Sequence, residues 1–164
     1  MKLLISNKEI KSAIKLFANK LNSEYDNKEV IIIAILKGAV LFLQDLHKHL
    51  DFENKIEYVD INSYKGKVRG EIISSPFDIN MQNQNILIID DICDTGNTLR
   101  YITNLIKKNN PKSIRTSVLL KKKIHNNIFK PNDYLFIIPD KFVVGFGLDF
   151  DEKYRFLKEI YTLD

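Results

Sequence analysis

The chain has 164 residues, 45% hydrophobic and 28% charged. That is the composition of a soluble globular domain long enough to bury a full core. One cysteine, Cys93, excludes a framework of internal disulfides. The formal charge of +4 suits an anionic small molecule, but the lysines are spread along the chain. Nucleic-acid binders gather theirs into a stripe interleaved with aromatics, so no nucleic-acid partner is expected. No apolar run approaches the roughly 20 residues that span a bilayer, and the apolar stretch near Met1 is too short for a secretory signal. A cytoplasmic location without membrane contact is the expectation.

Residues 8–21 place Ile10, Ala13, Ile14, Phe17 and Leu21 at helical spacing. Val30 to Leu36 is a continuous apolar run of the kind buried on both faces of a parallel sheet, and Lys37-Gly38 breaks it. Residues 39–50 set Ala39, Leu43, Leu46 and Leu50 along a helix. Ile56 to Asn62 reads as a strand and Ser63 to Gly70 as a polar loop. Ile86 to Ile89 is a third strand, and Thr98 to Lys108 a helix with Leu99, Ile102, Leu105 and Ile106 inward. Ser113 to Leu120 and Tyr134 to Ile138 are further strands, separated by the basic, polar residues 121–133. No linker or repeat divides the chain. Alternating strands and helices predict one α/β domain over residues 1–164 with a mainly parallel twisted sheet flanked by helices. Its functional loops belong beyond the strands' C-terminal ends.

Residues 88–98, IIDDICDTGNT, are the densest chemistry in the chain. A buried strand ends in Asp90 and Asp91. A turn of Asp94, Thr95, Gly96, Asn97 and Thr98 follows, and a helix opens. Backbone N–H groups at such a helix start attract anions; Gly96 lets the backbone approach, and the two threonine hydroxyls add donors. Three carboxylates beside a phosphate repel it unless ligand hydroxyls donate to them or a divalent cation is shared. A phosphorylated sugar supplies the first and a pyrophosphate brings the second. No GxxxxGK[ST] motif is present, so this is not a P-loop. The plainer reading, that Asp91 and Asp94 only cap and turn the chain, accounts for a lone DTG but not for the whole strand–acid–turn–helix unit.

That segment resembles the phosphoribosyl-pyrophosphate signature of type I phosphoribosyltransferases, and the chain from Val30 onward resembles their hypoxanthine/guanine branch. Ile35-Leu36-Lys37-Gly38 is similar to the pyrophosphate loop. Ser63-Tyr64 is similar to the start of the flexible catalytic loop. Residues 139–149, PDKFVVGFGLD, are similar to the base-binding hood. The resemblance implies the family's fold, with a core over about 25–140 and a small hood built from the N-terminal segment and residues 139–164. It implies transfer of a 5-phosphoribosyl group from phosphoribosyl pyrophosphate to a 6-oxopurine, in a homodimer or homotetramer, with Mg²⁺ as cofactor. Adenine and orotate relatives usually lack an acid at the position of Asp94.

Residue by residue, the resemblance assigns Asp90 and Asp91 to the ribose hydroxyls, directly or through Mg²⁺. Asp94 to Thr98 cradle the 5′-phosphate, and Asp94 is the general base for the purine N–H. Lys37, Gly38, Ser63, Tyr64 and Arg155 fall to the pyrophosphate donor, with a cis peptide expected at Lys37-Gly38. Lys121 is placed on the purine 6-oxo group, with Lys122 and Lys123 beside it leaving the register open. Phe142 stacks on the base, the Val143 carbonyl accepts from it, and Asp149 binds a second Mg²⁺. Cys93 reads as an apolar, helix-side residue. His47, His49 and His125 read as exposed bystanders, since His47 and His49 do not share a helix face.

Overall fold

The computed structural model describes residues 1–61 and 77–163. Five parallel strands form the main sheet: β2 (Val30–Ile35), β3 (Asn54–Val59), β4 (Asn85–Cys93), β5 (Ser113–Lys122) and β6 (Asp133–Ile138), in the order β3-β2-β4-β5-β6. The strand read from sequence as Ile56 to Asn62 starts and ends earlier, and Asn62 lies outside the described residues. The strand read as Ile86 to Ile89 continues through the acids to Cys93.

All six residues of β2 are buried, and their alternation feeds two cores. Ile32 and Ala34 face α1 (Asn7–Glu24) and α2 (Ala39–His47), where Ile10, Ile14, Phe17, Phe42, Leu43 and Leu46 close over them. Ile31, Ile33 and Ile35 face the other side with Ile86, Ile88 and Val118. Leu99, Ile102 and Ile106 of α3 (Asn97–Lys107) cover them. A sheet with helices on both faces has no polar side, so its central strands read as unbroken apolar runs. Helix α1 starts where Ser6 and Glu9 form a reciprocal cap: Ser6 N–H donates to Glu9 Oε2 (2.8 Å) and Glu9 N–H to Ser6 Oγ (3.3 Å).

A second, antiparallel sheet joins the chain's two ends in the order β1-β8-β7, from Lys2–Ile5, Ile160–Thr162 and Val143–Val144. Strands of two to four residues carry too little periodicity to be read from sequence. The chain leaves β2 toward β3 and returns to place β4 on the opposite flank of β2. The crevice between the C-terminal ends of β2 and β4 is therefore a topological switch point, where open α/β sheets bind ligands. No described helix is long and apolar enough to cross a membrane.

Candidate active site

A cleft of about 580 Å³ opens at that switch point. Its first wall is the turn after β2. Lys37 and Gly38 line it, and the cis peptide lies between Leu36 and Lys37, one bond earlier than the sequence expectation of Lys37-Gly38. Gly38 is required by a close approach: a Cβ there would stand 1.7 Å from Asp91 Oδ2. Opposite, a Cβ on Gly147 would stand 2.2 Å from the Gly38 carbonyl oxygen, and its φ of +100° already favours glycine. The turn is thus packed between the acids of β4 and the loop after β7.

The second wall is the end of β4 and the turn into α3, bringing Asp90, Asp91, Asp94, Thr95, Gly96, Asn97 and Thr98 to the cleft. Asp90 is buried at 5% exposure. Its Oδ1 accepts from Asp91 N–H (2.9 Å), and Asp91 Oδ1 accepts from Ile92 N–H (2.8 Å). Burial pushes the Asp90 carboxyl well above the usual carboxylate range, and the Asp91 charge adds to the rise. Burial also raises Asp91, against the opposing pull of its hydrogen bonds and of the Arg155 charge. Two adjacent acids in this setting are relieved by hydroxyl donors or by a cation. Gly96 (φ +90°) precedes α3 as its N-cap. Cys93 is buried within the α3-side core, as the sequence suggested.

The third wall is the segment around β7. Phe142, Val143, Asp149 and Arg155 line the cleft. Phe142 is 51% exposed and meets Phe150 edge-on, with ring centroids 5.5 Å apart. Arg155 Nη2 donates to Asp149 Oδ1 and its Nη1 to the Gly147 carbonyl, each at 2.7 Å. Glu152 N–H donates to Asp149 Oδ2 (2.9 Å). These bonds fix the Asp149 carboxylate and hold the Arg155 guanidinium in the cleft wall.

Lys121 is not in the cleft wall. Successive side chains of a strand point to opposite faces; Lys121 turns away, its Nζ 4.8 Å from the centre of the Tyr134 ring, and Lys122 takes the cleft position. Lys122 Nζ donates to Asp94 Oδ2 (2.9 Å) and lies 3.4 Å from Asp140 Oδ1. Of the lysines whose register the sequence left open, Lys122 and not Lys121 lines the cleft. Sequence reasoning did not single out Asp140, the acid within PDKF that lies beside Lys122, or Glu152, which lines the cleft three residues after Asp149. Ser63 and Tyr64 lie outside the described residues. His47, His49 and His125 are exposed. Among the described residues no three His, Cys, Asp or Glu side chains converge as a self-contained metal cage.

Comparison with known proteins agrees with this geometry. The Phosphoribosyl transferase domain family matches residues 3–151. The hypoxanthine-guanine phosphoribosyltransferase of Bacillus subtilis is 39% identical over 166 aligned positions, covering 99% of this chain and 92% of that protein. The bifunctional protein TilS/HprT of Listeria innocua is 37% identical over 99% of this chain, which spans only 26% of that longer relative. A crystal structure of a hypoxanthine-guanine phosphoribosyltransferase from Bacillus anthracis superposes with a TM-score of 0.85 at 31% identity, over 99% of this chain and 96% of the other. With a matching family domain along most of its length and a full-length relative above a third identical, the chain belongs to the phosphoribosyltransferase family.

Proposed function

We propose that the protein salvages purines: it transfers a 5-phosphoribosyl group from phosphoribosyl pyrophosphate to hypoxanthine and guanine, releasing pyrophosphate. The observation that carries this reading is the pairing of Asp94 with Lys122 in the cleft that the exposed Phe142 also lines. An acid, an ammonium and an aromatic face together suit a flat heterocycle with one N–H to lose and one oxo group to bind.

In this reading the Asp94 carboxylate accepts the proton from the purine imidazole N–H as the new bond forms. Lys122 donates to the 6-oxo group. Phe142 stacks on the base, a contact worth on the order of 1–3 kcal/mol in other base–aromatic pairs, and the Val143 carbonyl accepts from the ring. The N–H groups and hydroxyls of Thr95 to Thr98 hold the 5′-phosphate. Asp90 and Asp91 accept from the ribose hydroxyls, and Lys37, Gly38 and Arg155 hold the pyrophosphate.

The donor set fits Mg²⁺. Asp90, Asp91 and Asp149 offer only oxygen, and Mg²⁺ is commonly held by one or two carboxylates with substrate phosphates and water completing the shell. Each carboxylate has lone pairs left beyond the hydrogen bonds it accepts here. When bound, Mg²⁺ neutralises the departing pyrophosphate. The working unit is proposed to be a homodimer or homotetramer in the cytoplasm. A spectrophotometric assay with phosphoribosyl pyrophosphate, Mg²⁺ and each purine base tests the reading. Turnover of hypoxanthine is expected; its absence with every 6-oxopurine rejects the proposal.

A further inference from the structure

We propose that Asn127, in the connection between β5 and β6, is a positioning residue. Its carboxamide, with the Ile128 N–H beside it, holds the peptides of the Asp94–Gly96 turn so that the Thr95 and Gly96 N–H groups face the cleft. This rests on the reading of that turn as the site of a 5′-phosphate.

The geometry comes from two bonds made to the turn by residues that do not line the cleft. Asn127 Nδ2 donates to the Asp94 carbonyl (3.0 Å), and Ile128 N–H donates to the Thr95 carbonyl (2.9 Å). Neither peptide is cis, and in a trans peptide the C=O and the following N–H point in opposite directions. Drawing both carbonyls outward therefore turns the N–H groups of Thr95 and Gly96 inward, toward the cleft both residues line. Orientation of the carboxamide is set by its other end, because Asn127 Oδ1 accepts from Phe129 N–H (3.0 Å). Nδ2 also lies 3.6 Å from Cys93 Sγ.

The connection sits directly on the turn. A Cβ at Gly96 would stand 2.6 Å from Phe129 Cβ and 3.0 Å from Asn127 Oδ1. Preorganised N–H donors need no rearrangement when the anion arrives, which is how a fixed backbone site gains affinity. Asn127 lies in the polar stretch 121–133, where nothing in the sequence pattern separates it from ordinary loop residues.

The test compares the wild type with Asn127→Asp and Asn127→Ala by titration calorimetry against inosine 5′-monophosphate and against inosine. Steady-state kinetics run alongside. Asn127→Asp keeps an acceptor for Phe129 N–H but sets a carboxylate against the Asp94 carbonyl. Both variants are expected to weaken the monophosphate roughly tenfold, the size of one lost hydrogen bond in such a site. KM for phosphoribosyl pyrophosphate should rise in step, while inosine affinity stays put. Unchanged monophosphate affinity in both variants overturns the proposal, as does an equal loss for inosine, which marks a general structural role. A wild type that binds neither compound rejects the functional reading itself, and the inference with it.

Discussion

Lys122 Nζ and Asp94 Oδ2 are 2.9 Å apart, joining the end of β5 to the turn after β4. The lysine side chain is only 12% exposed. Burial alone would lower its pKa, but the carboxylates of Asp94 and Asp140 outweigh that and raise it. An ammonium is therefore held beside Asp94, one residue away from the lysine that the sequence reading placed on the purine.

On the proposed reading, Lys122→Ala removes a charged donor to the base. Losing such a hydrogen bond costs about 1.5–3 kcal/mol, so kcat/KM for hypoxanthine should fall by roughly 10- to 150-fold. Lys121→Ala, which loses its cation–π contact with Tyr134, should stay within about twofold, as surface substitutions do. Steady-state kinetics on the pair decide it: the reverse order would restore Lys121 to the purine position.

Gly38→Ala places a methyl group 1.7 Å from Asp91 Oδ2. The acid is itself fixed by its bond from Ile92 N–H, so it cannot move aside without breaking that bond. Overpacking of this kind costs about 1–3 kcal/mol. The expected result is a lowered Tm together with loss of donor binding, read by thermal melting and by KM for phosphoribosyl pyrophosphate. Wild-type values for both would show that the turn is not packed against Asp91.

At the other end of the sheet, Asp133 is buried among Arg115 (Nε to Oδ2, 2.6 Å), Lys20 (2.9 Å) and Ser117 (2.8 Å). Burial acts to raise its pKa, but the bonds from Arg115, Lys20 and Ser117 together bring it from 3.8 to about 2. Because the folded value is depressed, the stabilisation is present above the unfolded pKa and is lost as pH falls toward about 2. At roughly 1.4 kcal/mol per pH unit this amounts to about 2 kcal/mol. Urea unfolding should show this loss between pH 4 and 2. Asp133→Asn should be less stable at pH 7 and show a flatter profile over the acid range; an unchanged profile would remove Asp133 from the acid response.

Much of the main sheet was legible because a strand buried on both faces cannot hide its apolar run, as Val30 to Ile35 and Ile86 to Ile89 show. The acids and the turn after them were legible because strand, carboxylates, glycine and helix follow one another within 88–98. Three things were not. The register of the lysine depends on which way the last residues of β5 face, and three identical side chains give no contrast. The cis bond before Lys37 has no side-chain signature. The clamp by Asn127 is a long-range contact between two loops, and it exists only once the parallel register of β4 and β5 has brought them together.

The most direct test of the central claim is the initial rate of Asp94→Asn with phosphoribosyl pyrophosphate, Mg²⁺ and hypoxanthine, alongside its affinity for inosine 5′-monophosphate. The amide keeps the shape of the side chain but cannot take the proton. A rate reduced by roughly 10²–10⁴, typical of losing a general base, with the monophosphate still bound, is the predicted result. A variant as fast as the wild type would contradict the assignment of Asp94 and the chemistry built around it.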